Sequence, residues 1–512
     1  MTPRGLYSIV RLLFPKPRCA HPRVHEMNET RIDTLSDLTG FFKPKSIAIL
    51  GVSRNPSSFG GMSFLNHFLK AGYPGTIYPI NPRAADVQGI RAYPDLASLP
   101  EVPGLAMIAV QASAVPPIIE ECGRLGIRHI HILSAGFSEL GTEEGATLEK
   151  QVASIAGEHN LLIMGPNCMG PYCPAAKLTA WGAIPGRDGG LGIISQSGGI
   201  TQRLTEQVSS LGVGVSKAAS IGNAAVLDSP DYLEYMAGDD DIDVIAMYLE
   251  SVRDGRRLFE LARATAPRKP ILLLKGGQTQ VGAATVASHT GSMAGNQRLW
   301  NAFFEQTGVI PVSCMNEWAD SILAFSSLPE SEGNGLFIIG GGGGNSVIFS
   351  DSAVREGFTI PSLSPESMGK IRPIVPVAGS IAGNPLDLWE AFVNGDRLCN
   401  LLDVAYRDPQ IHMVIVDRLI PRIAFHSPEM PDPTPGIIDF IRTCDRRKPT
   451  VFTIDYDGGD LELNAKGVAL RRLFCEAGIP AYPSFERAIR ALSHFRRYHH
   501  QTRTNNKKIK VF

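Results

Sequence analysis

The chain has 512 residues, in which 49 lysine and arginine side chains face 50 aspartate and glutamate side chains. Such a length holds about three domains, and a hydrophobic fraction of 44% with a charged fraction of 19% is typical of a globular chain rather than a disordered one. The formal net charge of −1 lacks the basic excess of a nucleic-acid-binding protein, so no nucleic-acid partner is expected.

The chain begins with an extension, residues 1–36, that we expect to lie outside the fold. Residues 1–23 are basic and free of acids, as in a transit peptide. Met27 offers a second interpretation. In it, the real protein begins at Met27, and Met1 is a misassigned start.

The region 37–178 shows buried apolar strands that alternate with helical stretches. The first strand is SIAILGVS, and TIYPINP, LAMIAV, HIHIL and LLIMGPNC follow it. Helical patterns such as VPPIIEECGRLG lie between them. This alternation predicts a parallel sheet in an α/β domain.

Two further doubly wound α/β domains are predicted, at 179–330 and 331–497. The second domain opens with GLGIISQSGG and continues with VIAMYLE and PILLLKGG. The third opens with GLFIIGGGGGN and includes MVIVDR and PTVFTID. The basic tail, 498–512, is predicted to be frayed.

The loops that follow the strands are the candidate binding sites, because ligands bind an open parallel sheet at the carboxyl ends of its strands. The loop 51–58 opens a helix whose N–H groups and dipole favour a phosphate, and Arg54 adds positive charge. The loop is not GxGxxG, and the second strand leads to Arg83 rather than to an acid. A phosphorylated nucleotide is therefore favoured over NAD, with an ordinary turn as the alternative.

A second candidate lies at Ser197, Gly198 and Gly199, which follow a buried strand and open a helix. Without side chains at the two glycines, an oxyanion can approach the helix start directly. An ordinary turn in which Ser197 caps the helix is an equal alternative.

One histidine lies in a dense run of small residues, Gly282–Gly295. Such a loop suits His289 as a mobile nucleophile. Glu250, at a strand end, is placed to accept one ring N–H and to leave the other nitrogen ready to attack. The usual alternative for a lone histidine is a structural role.

The eight cysteines show no CxxC pair, so no zinc ribbon and no disulfide framework is predicted. Free thiols indicate a reducing compartment, and we predict a cytoplasmic location. No uncharged apolar run reaches the ~18 residues needed to cross a bilayer, so no membrane association is predicted.

Ten motifs stand in the order known from one family. Through them the chain resembles, from Leu38 to Leu492, the alpha subunit of the ADP-forming (NDP-forming) acyl-CoA synthetases, and more distantly that of succinyl-CoA synthetase. The motifs are SIAILGVSRNP, TIYPINPR, ILSAGFSE, LIMGPNCMG, ISQSGG, SIGNAAVLD, MYLESVRDGRR, ASHTGSMAG, GNPLDL and GIPAYPSFERAIRAL.

The resemblance implies a CoA-binding Rossmann-like domain followed by two flavodoxin-like domains of the succinyl-CoA synthetase type. It also implies a reversible reaction in which acyl-CoA, ADP and phosphate give a carboxylic acid, ATP and CoA. The implied intermediates are an acyl phosphate and a phosphohistidine.

The resemblance also assigns roles to residues. It places the phosphorylated histidine at His289, the orienting glutamate at Glu250, and the phosphate-binding helix start at Ser197, Gly198 and Gly199. The implied CoA-binding residues are Ser53, Arg54, Asn55, Pro56, Arg83, Ser134, Ala135, Gly136, Asn167 and Cys168. We interpret Cys168 as a wall of the thioester pocket, since no general base is evident beside its thiol.

The chain has no Walker-type loop, and three α/β domains account for nearly all of it. We therefore predict a hetero-oligomer in which a separate ATP-grasp beta subunit binds ADP or ATP and Mg²⁺. Two alternative functions remain: a CoA-binding regulatory homologue without complete turnover, and a CoA or acyl transferase that does not use ATP.

No motif defines the acyl group of the substrate. The five glycines at 340–344 are either a permissive turn or an altered contact with the partner.

Overall fold

The computed structural model describes residues 38–55, 60–182, 187–290, 296–340, 342–375, 382–388, 394–418, 432–455 and 460–509, without the side chains of 287–290 and 503–509. The predicted extension 1–36 lies outside this part of the chain. From Thr39 onward the chain forms one compact unit. Its three main sheets consist largely of parallel strands, which confirms the predicted α/β fold class.

The first sheet is parallel throughout and has the strand order β2-β1-β5-β6-β7. Its strands are almost entirely apolar and buried, because helices cover a parallel sheet on both faces. The strands are β1 (Ser46–Leu50), β2 (Thr76–Ile80), β5 (Leu105–Ile108), β6 (His129–Ile132) and β7 (Leu162–Met164), with a small antiparallel pair of β3 (Asp86–Val87) and β4 (Ile90–Arg91) beside them. The helices are α1 (Thr39–Phe42), α2 (Gly61–Ala71), α3 (Val115–Leu125) and α4 (Glu143–His159).

The second sheet has the order β14-β13-β12-β10-β11-β8-β9. Its strands are β8 (Gly170–Cys173), β9 (Leu178–Thr179), β10 (Leu191–Ser195), β11 (Val215–Ser220), β12 (Val244–Leu249), β13 (Ile271–Lys275) and β14 (Ile310–Val312). Its helices are α5 (Gly198–Ser210), α6 (Ser229–Gly238), α7 (Gly255–Thr265), α8 (Gln280–Thr290), α9 (Gln297–Thr307) and α10 (Met315–Ser327).

Strands β8 and β9 join this second sheet, although β8 precedes the predicted boundary at 178 and β9 spans it. Strand β8 pairs antiparallel with β11, so that Tyr172 lies opposite Ala218. Trp181 stacks on Tyr172 with ring centroids 5.1 Å apart, and its indole N–H donates to the carbonyl of Met169 at 2.9 Å. Membership of the sheets therefore changes before Gly170, because backbone pairing extends the second sheet into the end of the first domain.

The third sheet is parallel and has the order β16-β15-β17-β18-β19. Its strands are β15 (Leu336–Gly340), β16 (Leu386–Asp387), β17 (Met413–Asp417), β18 (Thr450–Thr453) and β19 (Ala481–Tyr482). Its helices are α11 (Gly343–Arg355), α12 (Pro365–Ile371), α13 (Gly395–Arg407), α14 (Thr434–Thr443), α15 (Leu461–Glu476) and α16 (Phe485–Ile509).

The last helix, α16, corrects the prediction of a frayed tail from 498. The helix continues to Ile509, and Tyr498 is buried with its ring 5.4 Å from that of Phe325 on α10. At the other end of α16, Arg487 donates two hydrogen bonds to the Asp320 carboxylate, at 2.6 and 2.8 Å. The basic composition of the tail concealed the aromatic contact of Tyr498 with α10.

All three sheets share one topology, in which the first parallel strand lies between the second and the third. A ligand crevice forms where the connections leave in opposite directions from neighbouring strands. These points lie between β1 and β5, between β10 and β12, and between β15 and β17. No helix of the described residues is long and apolar enough to span a membrane.

Candidate active site

The crevice of the second sheet brings together two loops that the sequence separates by about fifty residues. Strands β10 and β12 are parallel neighbours, with Ser195 opposite Tyr248. Gln196 donates its main-chain N–H to the carbonyl of Tyr248 at 3.1 Å. Its side-chain oxygen accepts the main-chain N–H groups of Glu250 and Ser251, at 2.6 and 3.0 Å. Gln196 thus fixes Glu250 beside the loop that opens α5, a role that the sequence did not reveal.

The start of α5 is ordered by hydroxyl groups. Ser197 caps the helix by accepting the N–H of Ile200 at 3.4 Å. The hydroxyl of Ser195 accepts the Ser197 N–H at 3.2 Å and donates to the Ser197 carbonyl at 2.9 Å. The positive end of the helix dipole therefore lies at the same sheet edge as Glu250, as an oxyanion site requires.

The two glycines at this helix start have different surroundings. A methyl group at Gly198 would lie 2.6 Å from a side-chain carbon of Met169, whereas a methyl group at Gly199 meets no heavy atom within 4 Å. Gly198 is therefore needed for packing. The structure does not require Gly199 for packing, which is consistent with a ligand approaching there.

We expect Gly199→Ala to fold normally but to bind inorganic phosphate about tenfold more weakly, because its methyl group occupies the path of an oxyanion to the helix N–H groups. Gly198→Ala should instead lower the melting temperature, since Met169 must move. Thermal denaturation and phosphate titration of both variants test this pair. Unchanged phosphate binding by Gly199→Ala would contradict the assignment.

Glu250 is held at both its side chain and its main chain. The residue is 5% exposed, and the Tyr248 hydroxyl donates to its Oε1 at 3.0 Å. Burial, with the nearby Glu250 carboxylate, raises the pKa of Tyr248, so the phenol stays a donor. The Lys275 ammonium donates to the Glu250 carbonyl at 2.8 Å. The carboxylate is therefore fixed in place before any substrate arrives.

Lys275 is a cation that sequence reasoning overlooked. It ends β13 opposite Leu249, and its Nζ lies 5.2 Å from the ring centroid of Trp300. Burial lowers its pKa to about 8, and the Glu250 carboxylate opposes this shift. The sequence signal was a lysine directly after four apolar strand residues.

His289 belongs to α8, which begins five residues beyond the end of β13. The side chains of 287–290 and the residues 291–295 lie outside the described part of the chain. The backbone of α8 lies against the 3₁₀ turn Ser138–Leu140 of the first domain. The chain that carries His289 thus runs from the edge that holds Glu250 toward the first domain, and its catalytic role remains a prediction.

The loop after β1 lies beside the loop after β2. Asn81 donates a side-chain N–H to the carbonyl of Val52 at 2.9 Å and accepts the N–H of Arg83 at 2.8 Å. Arg54 and Arg83 are both exposed. Asn81 therefore couples the two loops that carry the predicted CoA-binding cations, and its position directly after a strand was the available signal.

The other residues predicted in the first loop have local contacts. Ser53 and Asn55 interact through the serine hydroxyl, which lies 3.2 Å from both the N and the O of Asn55. Pro56 lies outside the described residues. The assignment of these residues to CoA remains a prediction.

The loops after β6 and β7 are also joined. The Asn167 N–H donates to the Ser134 carbonyl at 2.9 Å, and the Ser134 hydroxyl donates to the carbonyl of Val110. Ala135 is exposed, whereas the Gly136 N–H is taken by the carboxylate of Glu139. A ligand in this loop must therefore use groups other than that N–H.

Cys168 is poorly suited to act as a nucleophile. It is 4% exposed, and burial raises the pKa of its thiol, so the thiolate is disfavoured. Its carbonyl lies 3.0 Å from Nε2 of the buried His131, whose pKa burial lowers to about 4. A neutral imidazole thus supports the turn, and the role of Cys168 as a wall of the thioester pocket remains a prediction.

One amide joins the first and second domains next to these loops. Asn223 donates from its side chain to Glu139 at 2.6 Å and to Glu149 at 2.8 Å, and it accepts from Asn167 at 3.2 Å. Arg253 donates to the Asn223 and Ala225 carbonyls. The predicted pantetheine loops are therefore fixed by the second domain, a connection that no local pattern in the sequence shows.

Comparisons with known proteins agree with the division of the chain into three successive α/β domains. Residues 45–174 match the family described as CoA binding domain. Residues 188–325 match the succinyl-CoA ligase like flavodoxin domain, and residues 336–499 match the Ligase-CoA domain. The alpha subunit of acetate–CoA ligase (ADP-forming) I of Pyrococcus furiosus is 35% identical over 89% of this chain and 96% of the relative. The chain belongs to the family of ADP-forming acetate–CoA ligase alpha subunits.

This membership confirms the predicted resemblance and the two kinds of domain. A solved member, acetyl-coenzyme A synthetase 1 of Ca. Korarchaeum cryptofilum in complex with phosphate and ADP, superimposes with a TM-score of 0.81 at 29% identity, covering 92% of this chain and 99% of that one. Acetate–CoA ligase (ADP-forming) I of Archaeoglobus fulgidus is 31% identical over 89% of this chain, but the match spans only 63% of that longer relative.

Proposed function

We propose that this chain is the alpha subunit of an ADP-forming acyl-CoA ligase, which interconverts acyl-CoA, ADP and phosphate with a carboxylic acid, ATP and CoA. The observation that carries the proposal is the crevice between β10 and β12, where Gln196 holds Glu250 beside the α5 start. A fixed carboxylate and a positive helix end at one sheet edge suit the phosphorylation of a histidine.

In the proposed first step, inorganic phosphate attacks the thioester carbonyl. The carbon–sulfur bond breaks, CoA leaves as a thiol, and an acyl phosphate forms. The N–H groups at Ser197, Gly198 and Gly199 hold the phosphate and spread its negative charge. CoA is held by Ser53, Arg54, Asn55, Pro56 and Arg83 on one side, and by Ser134, Ala135, Gly136, Asn167 and Cys168 at the pantetheine end.

In the second step, a neutral His289 nitrogen attacks the phosphorus, and the carboxylate leaves. Glu250 accepts the N–H of the other ring nitrogen and stabilises the positive charge that develops on the imidazole. The phosphoryl group then passes from His289 to ADP, which regenerates the free imidazole and yields ATP.

The nucleotide and Mg²⁺ are proposed to bind a separate ATP-grasp subunit. Among the described residues there is no group of three or more histidine, cysteine, aspartate and glutamate side chains that is able to hold a metal ion. Two relatives from Pyrococcus furiosus, which this chain matches over 96% and 93% of their length, are named alpha subunits, and this supports a function divided between two chains. The cytoplasmic location remains a prediction.

Radiolabelled phosphate tests the proposed function. With a panel of acyl-CoAs, the purified chain should acquire acid-labile, base-stable label and release CoA thiol. Adding an ATP-grasp subunit with ADP and Mg²⁺ should transfer that label to ATP. Tight CoA binding without label would support the regulatory alternative, and acyl exchange between CoA and acids without phosphate would support the transferase; either result contradicts the ligase.

A further inference from the structure

One buried ammonium group joins three segments of the chain beside the candidate active site. Lys275 ends β13 and is 4% exposed. Its Nζ donates to the carbonyls of Glu250, at 2.8 Å, and of Gly276. The same Nζ lies 5.2 Å from the ring centroid of Trp300 on α9, within the range of a cation–π interaction. Lys275 therefore contacts the turn that holds Glu250, the chain that leads into α8, and the helix that follows α8.

The chain that leads to His289 passes directly beside Glu250. The main-chain N–H of Gly276 donates to the carbonyl of Leu249 at 3.0 Å. A methyl group placed at Gly276 would lie 2.7 Å from the Tyr248 hydroxyl oxygen and 3.3 Å from Cγ of Glu250. A side chain there would displace that hydroxyl, so glycine lets the chain leave β13 against the carboxylate that is predicted to orient the histidine.

A second contact joins the chain before α8 to the start of α9. Gln278 donates a side-chain N–H to the Lys275 carbonyl at 2.9 Å. Gln297, the first residue of α9, donates a side-chain N–H to Oε1 of Gln278 at 3.5 Å. In the sequence, His289 lies between these joined points. Both ends of the segment that carries it are therefore held beside the same strand end.

Packing alone does not explain a cation at this position. The preceding strand residues, Ile271–Leu274, are apolar and buried, so an apolar side chain would continue the strand at lower cost. Burial lowers the pKa of Lys275 to about 8, although the Glu250 carboxylate opposes this shift. The buried charge thus costs free energy at the sheet edge of the proposed phosphorylation, and residues that break a local packing rule are expected at functional sites.

We propose that Lys275 is a positioning residue for the phosphorylation of His289. Its ammonium holds the Glu250 turn against both ends of the segment that carries His289, so that carboxylate and imidazole meet in one arrangement. This role rests on the proposed function, because the step concerned is the attack of His289 on the acyl phosphate. The earlier attack of phosphate on the thioester uses other groups, at the α5 start and in the first domain. Lys275 therefore acts on the second step and not on the first.

Rapid-quench kinetics with radiolabelled phosphate separate the two steps, using the acyl-CoA that labels the wild-type chain fastest. Lys275→Met keeps most of the side-chain length and removes the charge. We expect it to acquire label about tenfold more slowly or worse, because the histidine and the carboxylate are less well aligned. Release of CoA thiol in a single turnover should stay within about twofold of wild type. Lys275→Arg keeps a cation and should label faster than Lys275→Met.

Lys269→Met is the matched control. Lys269 precedes the opposite end of β13 and also donates to two main-chain carbonyls, those of Met236 at 3.2 Å and Asp239 at 2.5 Å. It should change the labelling rate by no more than about twofold. Trp300→Leu keeps the ammonium but removes the ring, so it should slow labelling without slowing thiol release. Combined with Lys275→Met, it should slow labelling less than the product of the two single effects, because both variants remove one contact.

The outcomes distinguish this role from the proposed function. Equal labelling rates in Lys275→Met and wild type would overturn the positioning role and leave the ligase function intact. An equal loss of thiol release and labelling in Lys275→Met, or an equal loss in Lys269→Met, would show a structural role and also overturn it. A wild-type chain that acquires no label with any acyl-CoA contradicts the proposed function itself, and the role of Lys275 with it.

Discussion

Replacing His289 with asparagine is expected to abolish phosphorylation of the chain and ATP synthesis with its partner. Loss of a covalent nucleophile lowers turnover by at least about a thousandfold, because no other side chain carries the transferred group. Base-stable label from radioactive phosphate, counted after acid and alkali treatment, measures the effect directly.

The same variant separates the two chemical steps. His289→Asn should still release CoA thiol from acyl-CoA and phosphate in a single turnover, since the acyl phosphate forms before the histidine reacts. His159→Asn is the matched control, because the partly buried His159 contacts only Glu120 among the carboxylates of the described residues, at 3.1 Å, and belongs to no predicted site. Label that persists in His289→Asn would show that another residue is phosphorylated.

Replacing Glu250 with glutamine should slow formation of the phosphohistidine about 10²–10⁴-fold, the usual contribution of a charged catalytic side chain. Glutamine keeps an oxygen for the Tyr248 hydroxyl. The contacts of Lys275 and Gln196 reach the main chain of residue 250, so they do not need the carboxylate. We therefore expect a normal melting temperature, a lower kcat and an unchanged KM for acyl-CoA.

Tyr248→Phe is the control for this prediction. It removes the hydroxyl that orients Oε1 but leaves the charge, so we expect a smaller loss, about tenfold. Rapid-quench measurement of label against time compares the three proteins. An unimpaired rate in Glu250→Gln would exclude the carboxylate from the step and leave His289 to be oriented by another group.

The apolar strands and the loops after them were predictable because their periodicity is local. The strands predicted around 46–53, 190–199 and 335–345 all form where expected. Ser197 caps α5 as its position before a glycine pair indicates. The frayed tail was predicted wrongly because Tyr498 is buried through contacts with α10, a helix that lies about 170 residues earlier in the chain.

The residues that the sequence did not reveal act across long separations. Gln196 bonds to residue 250, and Asn223 bonds to Glu139 and Glu149 of the first domain. Asn81 bonds to Val52 on the neighbouring strand loop. An amide side chain has no periodicity and no charge, so its role emerges only when the sheet order brings its partners within about 3 Å.

The sequence of 512 residues was by itself enough to predict a multidomain α/β protein of near-neutral charge. The order of its motifs assigned the chain to a ligase family. Both conclusions depend on local composition and spacing. Only the tertiary structure showed that β8 extends the second sheet and that the buried Lys275 lies between the Glu250 turn and Trp300. Pairing and burial depend on which strands become neighbours, and parallel strands meet only through crossovers that separate them widely in the sequence.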